Sequence, residues 1–143
     1  MNAGHAPGSG RTVLVVEDSE VIRRVLRLIL EAEGYRVVES PDGLRARSLA
    51  RDHRPDVITL DLSLPDVDGR EVLRDLCADD SISQVPVVVI SAFTEYLTGP
   101  ERQRAADVIV KPFDLDDLLR RLEGAISRAG HGRVRPGQAA GQI

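Results

Sequence analysis

A single cysteine, Cys77, stands among 143 residues, so no internal disulfide can form. In its helical pattern with Val72, Leu73 and Leu76 it reads as a small buried hydrophobe. No apolar run approaches the length needed to span a membrane, and Met1 to Gly10 lacks the apolar core of a signal peptide. A cytoplasmic protein follows by default. Basic residues are in deficit: the formal net charge is −4, and the stretch from Thr12 to Ser127 holds 15 of the 19 basic residues with all 23 acids, a net of −8. That argues against a direct nucleic-acid binder working by phosphate neutralisation. The acidic surplus serves solubility or holds a cation, and composition alone leaves both open. Lysine is almost missing, since Lys111 is the one basic residue that is not arginine. A coding bias toward arginine explains interchangeable positions; a lysine that persists marks a site wanting a compact point charge on a slim stem.

What is present is an alternation of short apolar runs and helical stripes. Residues 1–11 are Gly, Pro, Ser and Ala without periodicity and are expected to form a flexible tail. Thr12 to Val16 is a buried strand, followed by a helix from Glu20 to Glu33 with Ile22, Val25, Leu26, Ile29 and Leu30 inward and Gly34 as its stop. Tyr35 to Glu39 is a second strand, and Leu44 to Asp52 a second helix with Leu44, Ala46, Leu49 and Ala50 inward. Val57 to Leu60 is the third strand, Gly69 to about Ala78 the third helix, and Val87 to Ile90 the fourth strand. Gly99-Pro100 interrupts the next segment, so the fourth helix is expected to be short, starting near Pro100. Val108 to Val110 is the fifth strand. Asp114 caps a last helix with Leu115, Leu118, Leu119, Leu122 and Ile126 inward. Residues 12–128 thus form one α/β domain, and residues 129–143 read as a second flexible tail. Five strands alternating with five helices imply right-handed βαβ crossovers, a flavodoxin-like (βα)5 doubly wound parallel sheet and the strand order 2-1-3-4-5.

Ligands in such sheets collect outside the carboxyl ends of the strands. The first strand delivers Glu17 and Asp18 there, the third Asp61, the fourth Ser91 and the fifth Lys111. Three crowded carboxylates repel unless a counter-charge is present. Oxygen-only donors favour Mg²⁺, which needs one or two carboxylates and keeps several waters; without convergent His or Cys, a zinc site is disfavoured. A carboxylate beside Mg²⁺ and a lysine suits phosphoryl transfer, with Asp61 as nucleophile and Lys111 and backbone N–H groups neutralising the phosphoryl oxygens.

The acidic pair Glu17-Asp18, Asp61 followed by Pro65 and Gly69, Ser91-Ala92 and Lys111-Pro112-Phe113 together resemble the receiver domain of two-component response regulators, over Thr12 to Ser127. The resemblance implies that Asp61 is the phosphoacceptor, that Glu17 and Asp18 arrange Mg²⁺ (Asp18 directly, Glu17 through water), and that the Ser63 backbone carbonyl completes the metal shell. It also implies Lys111 pairing with the phosphoryl group, Ser91 as the switch hydroxyl and a cis Lys111–Pro112 bond. Partners would be a histidine kinase or histidine phosphotransfer protein and a downstream protein the sequence does not identify, with neither nucleic acid nor membrane. The chain would catalyse only its own phosphorylation and dephosphorylation, either as a stand-alone domain, since about fourteen residues after Ala129 are too few to fold another module, or as a piece of a longer protein whose linker those residues begin.

Two departures and one flanking residue matter. Glu17 stands where Asp is as common in that family. Val108 replaces the aromatic that many receivers carry three residues before the lysine, which removes a ring from the switch. Phe93, two residues beyond Ser91, is expected to look over the pocket and slow hydrolysis of an acyl phosphate. Other readings fit less well. An aspartate-nucleophile phosphatase of the haloacid-dehalogenase type wants an acid at Ser63 and a cap domain. A nucleotide- or flavin-binding module wants a Gly- or Ser/Thr-rich loop where Glu17-Asp18-Ser19-Glu20 would repel phosphate. A degenerate, non-phosphorylated receiver would not retain the full set of residues.

Overall fold

The computed structural model describes residues 10–132. Five parallel strands lie in the order β2-β1-β3-β4-β5: β1 (Thr12–Val16), β2 (Arg36–Ser40), β3 (Val57–Leu60), β4 (Val87–Ser91) and β5 (Asp107–Val110). The helices are α1 (Glu20–Ala32), α2 (Ala46–His53), α3 (Gly69–Ala78), α4 (Gly99–Arg104) and α5 (Leu115–Gly132).

Period-two alternation divides the core between the faces of the sheet. Val13 and Val15 of β1 join Leu26 and Leu30 of α1 and Leu118 and Leu122 of α5 on one face. Leu14 and Val16 join Ile58, Leu60, Leu73 and Leu76 on the other, under α2 and α3. Burial on both faces explains why the strands are near-continuous Val, Ile and Leu. Each fully buried Val or Leu contributes about 1.5–3 kcal/mol, so β1 and β3 rigidly hold whatever is attached to their ends.

The helix starts follow from their caps. Ser19 Oγ accepts from the Ile22 N–H, and Asp68 Oδ1 from the Arg70 N–H. Gly34, at φ 95°, ends the α1 segment as a C′ residue in the left-handed region. A reciprocal capping box between Thr98 and Glu101 opens α4, with Pro100 in its first turn. That helix has six residues and follows a 3-10 turn at Thr94–Tyr96, the short element foreseen from Gly99-Pro100.

Five sequence expectations need correction. Leu115, read as inward on the last helix, is 45% exposed at that helix's first position. The second helix begins at Ala46, not Leu44, and Leu44 is exposed. Asp66 takes the Gly43 and Leu44 N–H groups, and Asp42 that of Arg45, so these residues stay in the turn. Val25 is exposed although it shares the helical stripe of Leu26 and Leu30, because the stripe is wider than the surface the sheet offers. Cys77 is half-buried, with Sγ 3.6 Å from the Arg104 carbonyl. The last helix runs to Gly132, past the Ala129 at which composition suggested a tail; one further turn continues with no apolar stripe to signal it. The N-terminal tail up to residue 9 and the rest of the C-terminal one fall outside the described residues.

Candidate functional site

The β1–β3 pairing brings two acidic loops together at the switch point of the sheet. The ladder ends with Val16 opposite Leu60 on one side and Ser40 on the other. Beyond it the Glu17 N–H donates to the Ser40 carbonyl and the Asp61 N–H to the Val16 carbonyl, each at 3.0 Å. Glu17 and Asp61 are therefore anchored in the sheet, and both are nearly buried, at 3% and 5% exposure. Asp18 is exposed at the rim. Carboxylate oxygens of all three lie within 4.8 Å of one another.

Lys111, carried past the end of β5, reaches into this cluster. Its Nζ donates to Glu17 Oε1 at 2.7 Å and to Asp61 Oδ2 at 2.9 Å. The remaining oxygens are also engaged: Glu17 Oε2 accepts from the Ser19 N–H and Asp61 Oδ1 from the Ser63 N–H. Burial pushes the Glu17 carboxyl upward, against the opposing bonds from Lys111 and Ser19. Burial works against the Lys111 charge, but the bonds to Glu17 and Asp61 outweigh it and hold the ammonium above its usual value. One ammonium thus shields two of three crowded carboxylates, and the third is left to water or a cation.

These groups open into a cavity of about 190 Å³ lined by Glu17, Asp18, Asp61, Ser63, Phe93 and Lys111 among others. Five of the six site residues expected from sequence meet there. Ser91 does not line it. Its side chain is fully buried behind Ala92 and Phe93, and its Oγ accepts from the Phe93 N–H at 3.1 Å. The Ser91 carbonyl accepts from the Lys111 N–H, tying the two strand ends together. The Lys111–Pro112 peptide is cis. The donor set is hard oxygen only, which fits Mg²⁺ and not a soft-ligand metal.

Residues 13–123 match the family model described as the response regulator receiver domain. The chain belongs to the response regulator receiver family. Its curated relatives include a polar-differentiation response regulator, DivK, of Brucella anthropi, 42% identical over 123 residues, covering 83% of this chain and 98% of the relative. A sensor protein from Polaromonas sp. superposes with a TM-score of 0.78 at 28% identity, covering 84% of this chain and 98% of that one. The receiver domain of a sensor histidine kinase from Pseudomonas aeruginosa, solved with magnesium coordinated in its active-site cleft, superposes with a TM-score of 0.74 at 32% identity, covering 83% and 99%.

In this receiver domain Val108 is half-buried against the α2–α3 side of the core, so no ring occupies that position. Phe93 is 46% exposed and packs at 6.1 Å between ring centroids against Tyr96. Sequence reasoning missed three residues that brace the site. Arg23 reaches back to the acidic turn. Asp66 ties the loop after Asp61 to the turn before α2. Arg70, paired with Asp68, donates to the Tyr96 carbonyl and so links that loop to the segment after β4. All three act on backbone groups, which leave no periodic signal in a sequence.

Proposed function

We propose that Asp61 accepts a phosphoryl group from a histidine kinase or histidine phosphotransfer protein in a Mg²⁺-dependent reaction, and that the domain then signals to a downstream protein through surface contacts. The observation that carries this is the nearly buried Glu17–Lys111–Asp61 bridge in a cavity that also gathers the Asp18 carboxylate. The Asp61 carboxylate is the nucleophile: one oxygen forms a bond to phosphorus while the donor's bond to phosphorus breaks and its electron pair leaves with the donor. Ser63 N–H fixes one Asp61 oxygen, which holds the carboxylate plane for in-line approach. Glu17, Asp18, Asp61 and the Ser63 carbonyl would hold the ion, with Asp18 the direct ligand and Glu17 acting through water. Bound Mg²⁺ supplies charge neutralisation for the carboxylates and phosphoryl oxygens. Lys111 exchanges a carboxylate partner for a phosphoryl oxygen, keeping its charge in the same pocket. The Ser91 hydroxyl still has its own proton to donate, and turning from the Phe93 N–H toward a phosphoryl oxygen would carry the segment after β4 with it.

Incubation with a small-molecule phosphodonor, with and without Mg²⁺, tests this on wild type and Asp61→Asn. The expected result is a Mg²⁺-dependent, hydroxylamine-labile mass gain of one phosphoryl group in the wild type alone. Steady release of phosphate with no adduct would favour a phosphatase and refute the assignment.

A further inference from the structure

The carbonyls of Glu17 and Asp18 lie past the last rung of the β1 ladder and before the first rung of α1, which is the Arg23 N–H to Ser19 carbonyl bond at 2.9 Å. Among the described residues neither carbonyl has a backbone donor. Arg23 supplies what the backbone does not. Its Nη1 donates to the Glu17 carbonyl at 2.8 Å and to the Asp18 carbonyl at 3.3 Å, while Nε donates to Glu39 Oε1 at 2.9 Å. Only 16% of the side chain is exposed.

The carboxylates differ in how they are held. Glu17 and Asp61 each have a backbone N–H and the Lys111 ammonium on their oxygens. Asp18 has no hydrogen bond to its carboxylate among the described residues, so its direction depends on its backbone, which Arg23 holds from behind. We propose that Arg23 is a positioning residue for the cation site: its guanidinium clasps the Glu17 and Asp18 carbonyls and so aims the Asp18 carboxylate into the cavity. This rests on the cation reading above.

Charge alone would predict the opposite effect. A guanidinium beside a cation site repels the cation, and removing it should tighten binding. Glu39 answers this by pairing with Arg23, and although it also takes Arg27, Arg27 has Glu31 as a second partner, so two carboxylates face the two guanidiniums. Burial of Glu39 is outweighed by those two guanidinium bonds, so its carboxyl lies below the ordinary value and the pair stays ionised. Arg23 therefore brings geometry to the site with most of its charge already balanced. The sign of the mutational effect separates geometry from charge.

The test is Mn²⁺ binding, followed by electron paramagnetic resonance of the free ion, to the full chain as wild type, Arg23→Ala, Arg23→Lys and Arg24→Ala. Urea denaturation without metal confirms that each protein is folded at the assay condition. Arg23→Ala is expected to bind about 10–100-fold more weakly, the usual loss when a group orienting a metal ligand is removed. Arg23→Lys is expected to fall between, since an ammonium cannot span both carbonyls and Glu39 as the planar fork does. Arg24, paired with Glu20 on the exposed side of α1, should leave affinity unchanged. A folded Arg23→Ala that binds Mn²⁺ as tightly as wild type, or more tightly, overturns the assignment alone. Should Arg23→Ala not fold, Arg23→Lys decides by the same criterion. A wild type that binds no Mn²⁺ overturns the cation reading and the assignment with it.

Discussion

A methyl group added at Gly69 would sit 2.4 Å from the Leu62 Cα, 2.6 Å from the Leu62 carbonyl oxygen and 2.8 Å from the Asp61 carbonyl oxygen. All three obstacles are backbone, and two belong to the residue next to Asp61. Ordinary contact begins at 3.4 Å, so Gly69→Ala requires α3 and the Asp61–Leu62 peptide to part by about 1 Å. The conformation itself is no obstacle, because among the described residues the glycines with positive φ are Gly10 and Gly34. Forced overpacking of this kind destabilises by about 1–3 kcal/mol, and a 1 Å misplacement of a reacting group can lower a rate by about 10²-fold. Gly43→Ala is the matched comparison. There the methyl would meet side chains, Val67 Cγ2 at 2.5 Å and Val72 Cγ2 at 2.8 Å, which can shift without displacing the Asp61–Leu62 backbone. Single-turnover phosphorylation from a small phosphodonor, followed by intact mass, measures the rate; urea melts measure stability. Helix propensity alone predicts the reverse for Gly69→Ala, a gain of up to about 1 kcal/mol. A Gly69→Ala protein as stable as wild type and phosphorylated within about threefold of its rate would refute the steric argument.

Lys111→Met strands two nearly buried carboxylates and should destabilise the metal-free domain by about 3 kcal/mol, with the deficit shrinking on acidification; equal urea midpoints at neutral pH would show that the bridge is not structural. Phe93→Ala should shorten the lifetime of the phosphorylated form by admitting water to the cavity the ring lines, and an unchanged decay of the acyl phosphate would remove that role. Hydrogen bonds from Arg47, then Ser81, hold the Asp79 carboxyl well below its ordinary 3.8. A depressed folded value contributes stability that is present above the unfolded value and lost as the pH falls through the folded one. Asp79→Asn should therefore be less stable than wild type at neutral pH and lose less on acidification, read from urea midpoints on both sides of that range.

Much of this is legible in the sequence. Short strands of near-continuous Val, Ile and Leu alternating with helical stripes read as a parallel sheet buried on both faces, and its carboxyl edge gathers Glu17, Asp18, Asp61 and Lys111. Leu44 and the bracing residues escape the sequence for one reason. Leu44 looked like the first inward residue of α2 because its hydrophobicity fits, yet Asp66, 22 residues further on, takes its N–H. Arg23 was indistinguishable from seventeen other arginines. Side chain to backbone bonds between loops have no period and no spacing rule, so a sequence announces the scaffold and its carboxylates more clearly than the braces around them.

The central claim is that the phosphoryl group is carried by the carboxylate of Asp61. Reduction of the phosphorylated chain with tritiated borohydride converts an aspartyl phosphate to homoserine, and proteolysis with peptide sequencing locates the label. The account predicts tritium at position 61, dependent on Mg²⁺ and lost when Lys111 is replaced. Label at another acid of the cluster, or none on a chain that has gained a phosphoryl group, would contradict it.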